Sequence, residues 1–88
     1  MNSNNQSDKP DINYPCPWTY KVIGYDETLL RRIIAEIITD RPYRITVSHS
    51  SKTGKYICLN LITEVSNEDN RVAMYEALRN HPAVKIVL

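Results

Sequence analysis

The stretch Tyr14-Pro-Cys-Pro-Trp-Thr-Tyr-Lys-Val-Ile-Gly24 turns a polar leader into an alternating strand that stops at glycine. Trp18, Tyr20 and Val22 alternate with Thr19, Lys21 and Ile23, which is the period of a half-buried strand. Lys21 assigns the faces, since lysine rarely sits in a core, so Trp18, Tyr20 and Val22 are expected to point inward.

Upstream, Met1 to Asn13 are rich in Asn, Ser, Gln, Asp and Lys and offer little to bury, so residues 1–13 read as a disordered tail. Residues 14–88 read as one small domain. Downstream, Leu29/Leu30, Ile33/Ile34 and Ile37/Ile38 recur every four residues on one helical stripe. Asp26 is a good N-cap, and Arg41 before Pro42 places the helix end near Thr39 or Asp40.

A second strand is expected from Tyr43 to Ser50, with Tyr43, Ile45 and Val47 inward. Ser51-Lys52-Thr53-Gly54 makes a hairpin turn, glycine supplying the positive φ. A third strand from Lys55 to about Val65 would bury Ile57, Leu59, Leu61 and Val65 and show Tyr56, Cys58, Asn60 and Glu64 on the other side. Ser66 with Asp69 forms a capping-box pattern opening a second helix, whose buried positions are expected to be Val72, Met74, Tyr75 and Leu78. Ala83 to Leu88 completes a fourth strand. The order βαββαβ is the α+β, ferredoxin-like arrangement: a four-stranded antiparallel sheet, order 4-1-3-2, with both helices on one face.

Charge and composition narrow the functions. Eleven Lys and Arg face ten Asp and Glu, net +1, so the whole molecule has no general pull toward nucleic acid or anionic membrane. The leader has no signal-peptide h-region and no run is long enough to span a bilayer, so a cytoplasmic protein is expected. Cys16 and Cys58 fall at opposite ends of neighbouring strands, beyond disulfide reach. His49 and His81 fall on opposite edge strands, too far apart for one metal ion. Ser48, Ser50 and Ser51 near His49 lack a nucleophile elbow and an orienting acid. With glycine only at Gly24 and Gly54, a phosphate-cradling loop is excluded. No cofactor, no metal and no catalytic residue are therefore expected.

Two surfaces remain. One end of the sheet gathers Gly24, Asp26, Ser50, Lys52 and His81, a candidate site for a small metabolite, although Asp26 and Glu27 count against an anion there. The open sheet face is expected to carry Lys21, Ile23, Arg44, Tyr56, Asn60, Lys85 and Val87, mixed enough to suit a protein contact or a homodimer. Strand 4 is an edge that invites pairing with another chain. Between Asp40 and Glu64 the charged residues are Arg41, Arg44, Lys52 and Lys55, all positive, which makes nucleic-acid binding the alternative. Tyr56 is the single outward aromatic, where single-strand RNA binders on this fold show two or three.

The Tyr14–Gly24 run, the Ser50-Ser51-Lys52-Thr53-Gly54-Lys55-Tyr56 hairpin and the close Val84-Lys85-Ile86-Val87-Leu88 resemble, in order and spacing, the YbeD-like family of short bacterial proteins. The resemblance implies a fold like the ACT-type regulatory domains of amino-acid metabolic enzymes, and with it a dimer. It brings no activity, cofactor or catalytic residue. Thr53 lengthens the turn by one residue relative to the family pattern, and the Asn-rich leader is peculiar to this chain.

Overall fold

A computed structural model describes residues 12–50 and 54–88. The expected tail, apart from Ile12 and Asn13, and the turn residues Ser51, Lys52 and Thr53 lie outside the described residues. The elements are β1 (Cys16–Gly24), α1 (Glu27–Ile37), β2 (Tyr43–Ser50), β3 (Ile57–Val65), α2 (Glu68–Arg79) and β4 (Val84–Val87). The strands form one antiparallel sheet in the order β2-β3-β1-β4, and the helices cover one face of it, as the alternation and the stripe require.

Tyr20, Val22, Leu59 and Leu61 from the two central strands meet Leu30, Ile34, Ile38, Met74 and Leu78 from the helix layer in one core. Hydrophobic burial of this kind is the main favourable term in folding. Asp26 caps α1, its carboxylate accepting from the Leu29 amide at 3.1 Å. At the other end of the hairpin, Gly54 has φ +72°, as expected of a turn glycine.

Several positions differ from the reading of the sequence. The cap of α2 is Asn67, whose side chain accepts from the Asn70 amide at 2.7 Å, while Asn70 reaches back to the Ser66 amide at 3.0 Å. The reciprocal cap therefore sits one residue later than Ser66 and uses an amide instead of Asp69. Val72 is 42% exposed, because the inner stripe of α2 is Arg71, Met74, Tyr75 and Leu78, with Arg71 and Tyr75 half-buried. β3 begins at Ile57 and β4 spans only Val84–Val87.

Two bulges re-aim side chains. In β2 the register moves from Val47↔Leu59 to His49↔Cys58, so Ser48 is the extra residue and His49 stands on the open face. Val47, expected inward, is 52% exposed. In β4 the register moves from Gly24↔Val84 to Ile23↔Ile86, so Lys85 is the extra residue. Val84 and Val87 are then both buried, at 8% and 6% exposure, and Ile86 takes the open-face position expected of Val87. Cys58 lies where the alternation puts it, in the open-face row beside Ile23 and His49, and is packed in at 2% exposure.

Candidate functional site

The metabolite site expected at the Gly24 end is built mainly by the β1–α1 connection and the loop before β4. A hollow of about 360 Å³ is lined by Tyr25, Asp26, Leu29, Pro82, Ala83 and Lys85. Of the expected set, Asp26 is the one described residue that lines it. Gly24 is buried beside it, where a Cβ would come within 2.8 Å of the Ala83 carbonyl oxygen and 2.9 Å of Leu30 Cδ2. Glycine is needed there for close approach, so the position serves packing. His81 is half-buried, and its Nδ1 accepts from the Ala83 amide at 3.2 Å, which shapes the loop. Ser50 lies in the same row as Gly24, across Ile57, two strand spacings or roughly 10 Å away. Lys52 is outside the described residues. Among the described residues the cation at the hollow is Lys85, whose Nζ stands 5.5 Å from the Tyr25 ring centroid.

The open face is organised in rows. One runs Lys21–Asn60–Thr46: Lys21 Nζ donates to Asn60 Oδ1 at 3.0 Å, and Asn60 Nδ2 donates to Thr46 Oγ1 at 3.3 Å. Beside it, Thr19–Ile62–Arg44 forms a mixed row. On the other side, Ile86–Ile23–Cys58–His49 forms a largely apolar row. A hollow of about 320 Å³ there is lined by Ile23, His49, Tyr56, Lys85 and Ile86. Lys21, Ile23, Arg44, Tyr56, Asn60 and Lys85 are thus close to where the alternation placed them, while Val87 is in the core.

Two arginines missed as structural residues organise the helix side. Arg41, expected in the basic patch, donates from Nη1 to the Glu64 carbonyl at 2.8 Å and to Asn70 Oδ1 at 2.6 Å. It also pairs with Asp40 through Nε at 3.0 Å and Nη2 at 2.7 Å. These bonds tie the entry of β2 to the end of β3 and the start of α2, and the guanidinium holds the Asp40 carboxyl below its usual range. Arg71 lies over Trp18, 4.6 Å from the ring centroid, and its Nε donates to the Tyr14 hydroxyl at 3.0 Å. The signal for Arg71 was its place in the i, i+3, i+4, i+7 stripe with Met74, Tyr75 and Leu78. Arg41 had no local signal for this role, because Glu64 and Asn70, the partners that make it a tie, are 23 and 29 residues away.

Beneath Arg71, the Tyr20 hydroxyl donates to the Arg71 carbonyl at 2.7 Å. Burial pushes the Tyr20 phenol up to about 12, partly offset by the Arg71 charge. The two cysteines are free and lie seven register steps apart along the β1–β3 ladder, from Cys16↔Val65 to Ile23↔Cys58. Among the described residues there is no group of three or more His, Cys, Asp and Glu side chains placed to hold a metal ion. Nor, among these residues, is any helix long and apolar enough to cross a membrane.

Residues 9–88 match the model of a family described as "Protein of unknown function (DUF493)". An uncharacterized protein of Helicobacter pylori strain J99 is 33% identical over 81% of this chain and 83% of its own length. A UPF0250 protein of Yersinia enterocolitica is 32% identical over 88% of this chain and 91% of its own. The solution structure of the Helicobacter pylori protein HP0495 superposes with a TM-score of 0.81 at 29% identity, covering 100% of this chain and 97% of that one. The ACT domain of a GTP pyrophosphokinase from Chlorobium tepidum is similar at a TM-score of 0.61 and 21% identity, over 84% of this chain and 96% of that one, a likeness of fold.

Proposed function

Since the chain belongs to the bacterial family described as "Protein of unknown function (DUF493)", which carries no assigned activity, we propose from its surface a non-enzymatic interaction module that docks an acidic protein on its open sheet face. The observation that carries this reading is the row Ile86–Ile23–Cys58–His49, with Tyr56 beside it, set next to positive charge. Exposed apolar area rimmed by polar groups suits a protein contact. Lys21, Arg44 and Lys85 stand on or beside that face, and Glu64 is the one acidic residue among its described strand positions. A second copy presenting the same face would bring like charges together, so complementarity favours an acidic partner over a homodimer.

The full chain, ¹⁵N-labelled and titrated with bacterial cell extract, should show amide shifts at Ile23, Asn60 and Ile86. Ile86→Asp, at a 43% exposed position, should abolish them while leaving the melting temperature nearly unchanged. Shifts that avoid the open face would overturn the reading. A nucleic-acid ligand is the second reading, favoured by the same positive charge and by Tyr56. It predicts oligonucleotide binding whose affinity falls steeply with salt, losing about one unit of log–log slope per phosphate contact removed. A regulatory metabolite would enter at the hollow between Asp26 and Lys85, and a thermal-shift panel of amino acids and organic acids tests for it.

A further inference from the structure

Among the described residues the outer edge of β1 is only half covered. β4 pairs with Val22 to Gly24, and Lys21 and Leu88 exchange mutual backbone bonds of 3.0 and 2.9 Å. In an antiparallel ladder alternate residues direct both backbone groups to the same side. The Thr19 N–H and C=O and the Pro17 C=O therefore point the same way as those of Lys21, past the end of β4. Among the described residues they have no backbone partner, and Thr19 is exposed.

Beside this bare edge, under the first turns of α2, runs a groove of about 290 Å³ lined by Trp18, Tyr20, Arg71, Val72, Tyr75 and Leu88. The Arg71 guanidinium is fixed over Trp18 and held through Nε by Tyr14, and it makes no ion pair among the described residues. Glu68, one turn earlier on α2, adds to the field at Arg71 without pairing with it. On the opposite, open face Lys21 Nζ turns to Asn60, so among the groove's lining residues the charge is Arg71's.

We propose that this half-edge and groove take an extended, acidic segment of another protein as an added strand. A peptide backbone supplies a donor and acceptors in line with Thr19 and Pro17. The residue opposite Thr19 would face the open side, and its two neighbours would enter the groove. A carboxylate at one neighbour meets Arg71, and an apolar side chain at the other covers Val72 and Tyr75. A second copy pairing antiparallel across the same edge, Thr19 to Thr19, would bring the two Arg71 guanidinium groups toward each other across the groove, so charge complementarity selects an acidic segment. This surface is separate from the open-face hollow, and either can fail alone.

The probe is a blocked heptapeptide, Thr-Val-Thr-Glu-Thr-Val-Thr, with its glutamate-to-lysine counterpart, each titrated into the ¹⁵N-labelled full chain. The glutamate peptide should shift the Thr19 and Tyr75 amides and the Trp18 indole, and slow hydrogen exchange at the Thr19 amide. The lysine peptide should bind about fivefold more weakly, the upper range for a half-exposed ion pair. Arg71→Glu should invert that preference. Equal binding of the two peptides to the unmodified protein, unchanged exchange at Thr19, or shifts confined to the Ile86 region would each overturn the proposal, whatever Arg71→Glu does to folding.

Discussion

At Gly24 three chain segments meet with no room for a methyl group. Leu30 Cδ2, at 2.9 Å from the position of a Cβ, is the end of a side chain and can rotate, but the Ala83 oxygen at 2.8 Å is backbone and cannot yield cheaply. Gly24→Ala should therefore lower stability by about 1–3 kcal/mol in urea denaturation, the usual cost of overpacking. Tyr20 makes a different kind of contribution. Its buried phenol, pushed up to about 12 from 10.0, keeps its proton in the folded protein where the unfolded chain has lost it. The unfolded state then binds fewer protons, so stability falls as pH rises from about 10 to about 12. Tyr20→Phe should flatten that part of the curve. Below pH 9 it should cost about 0.5–1.5 kcal/mol, the net worth of one hydrogen bond, because the Arg71 carbonyl lies inside α2 and keeps its helical donor. Denaturant midpoints of both proteins at pH 8.5 and 11.5 measure the two effects together.

The elements show which features the chain announces in its pattern. β1, β3 and the stripe of α1 follow from periods of two and four, because burial on one face imposes those periods on the sequence. The bulges at Ser48 and Lys85 were not legible, since one inserted residue preserves the alternation on either side and only the partner strand reveals the slip. Their effect on the candidate site is direct: His49 joins the open face, and Val87 exchanges places with Ile86. The two substitutions Val87→Asp and Ile86→Asp should consequently differ sharply. At 6% exposure a carboxylate at position 87 should cost ~3 kcal/mol or more, whereas at 43% exposure one at position 86 should be nearly neutral. Thermal melts of the two single variants decide it. An unbroken alternation through β4 would give the reverse.

For the molecule as a whole, the order of strands and the side of the helices were legible because short connections and right-handed crossovers leave few arrangements of βαββαβ. The electrostatic detail was less so. Arg41 is counted as surface charge in a linear reading, and only the approach of β2, β3 and α2 turns it into a tie among three elements. The ion pairs among the described residues are Arg31–Glu27, Arg41–Asp40 and Arg79–Glu76, each with at least one largely exposed partner. Such pairs contribute little and are screened by salt, so stability rests on the core. Raising sodium chloride from 0.1 to 1 M should not lower the denaturant midpoint, and a marked fall would point to a larger electrostatic share.

The strand order has a consequence for the chain as it is made. β1 leaves the ribosome before the other strands, yet both of its neighbours, β3 and β4, are encoded later. The hairpin of β2 and β3 can close locally, with a short loop and a small entropic penalty. Until β3 and then β4 have been made, Trp18, Tyr20 and Val22 have no neighbouring strand and only the α1 side of the core to pack against. The segment that announces the fold most clearly in the sequence is thus the one whose burial is completed only when synthesis has reached β4.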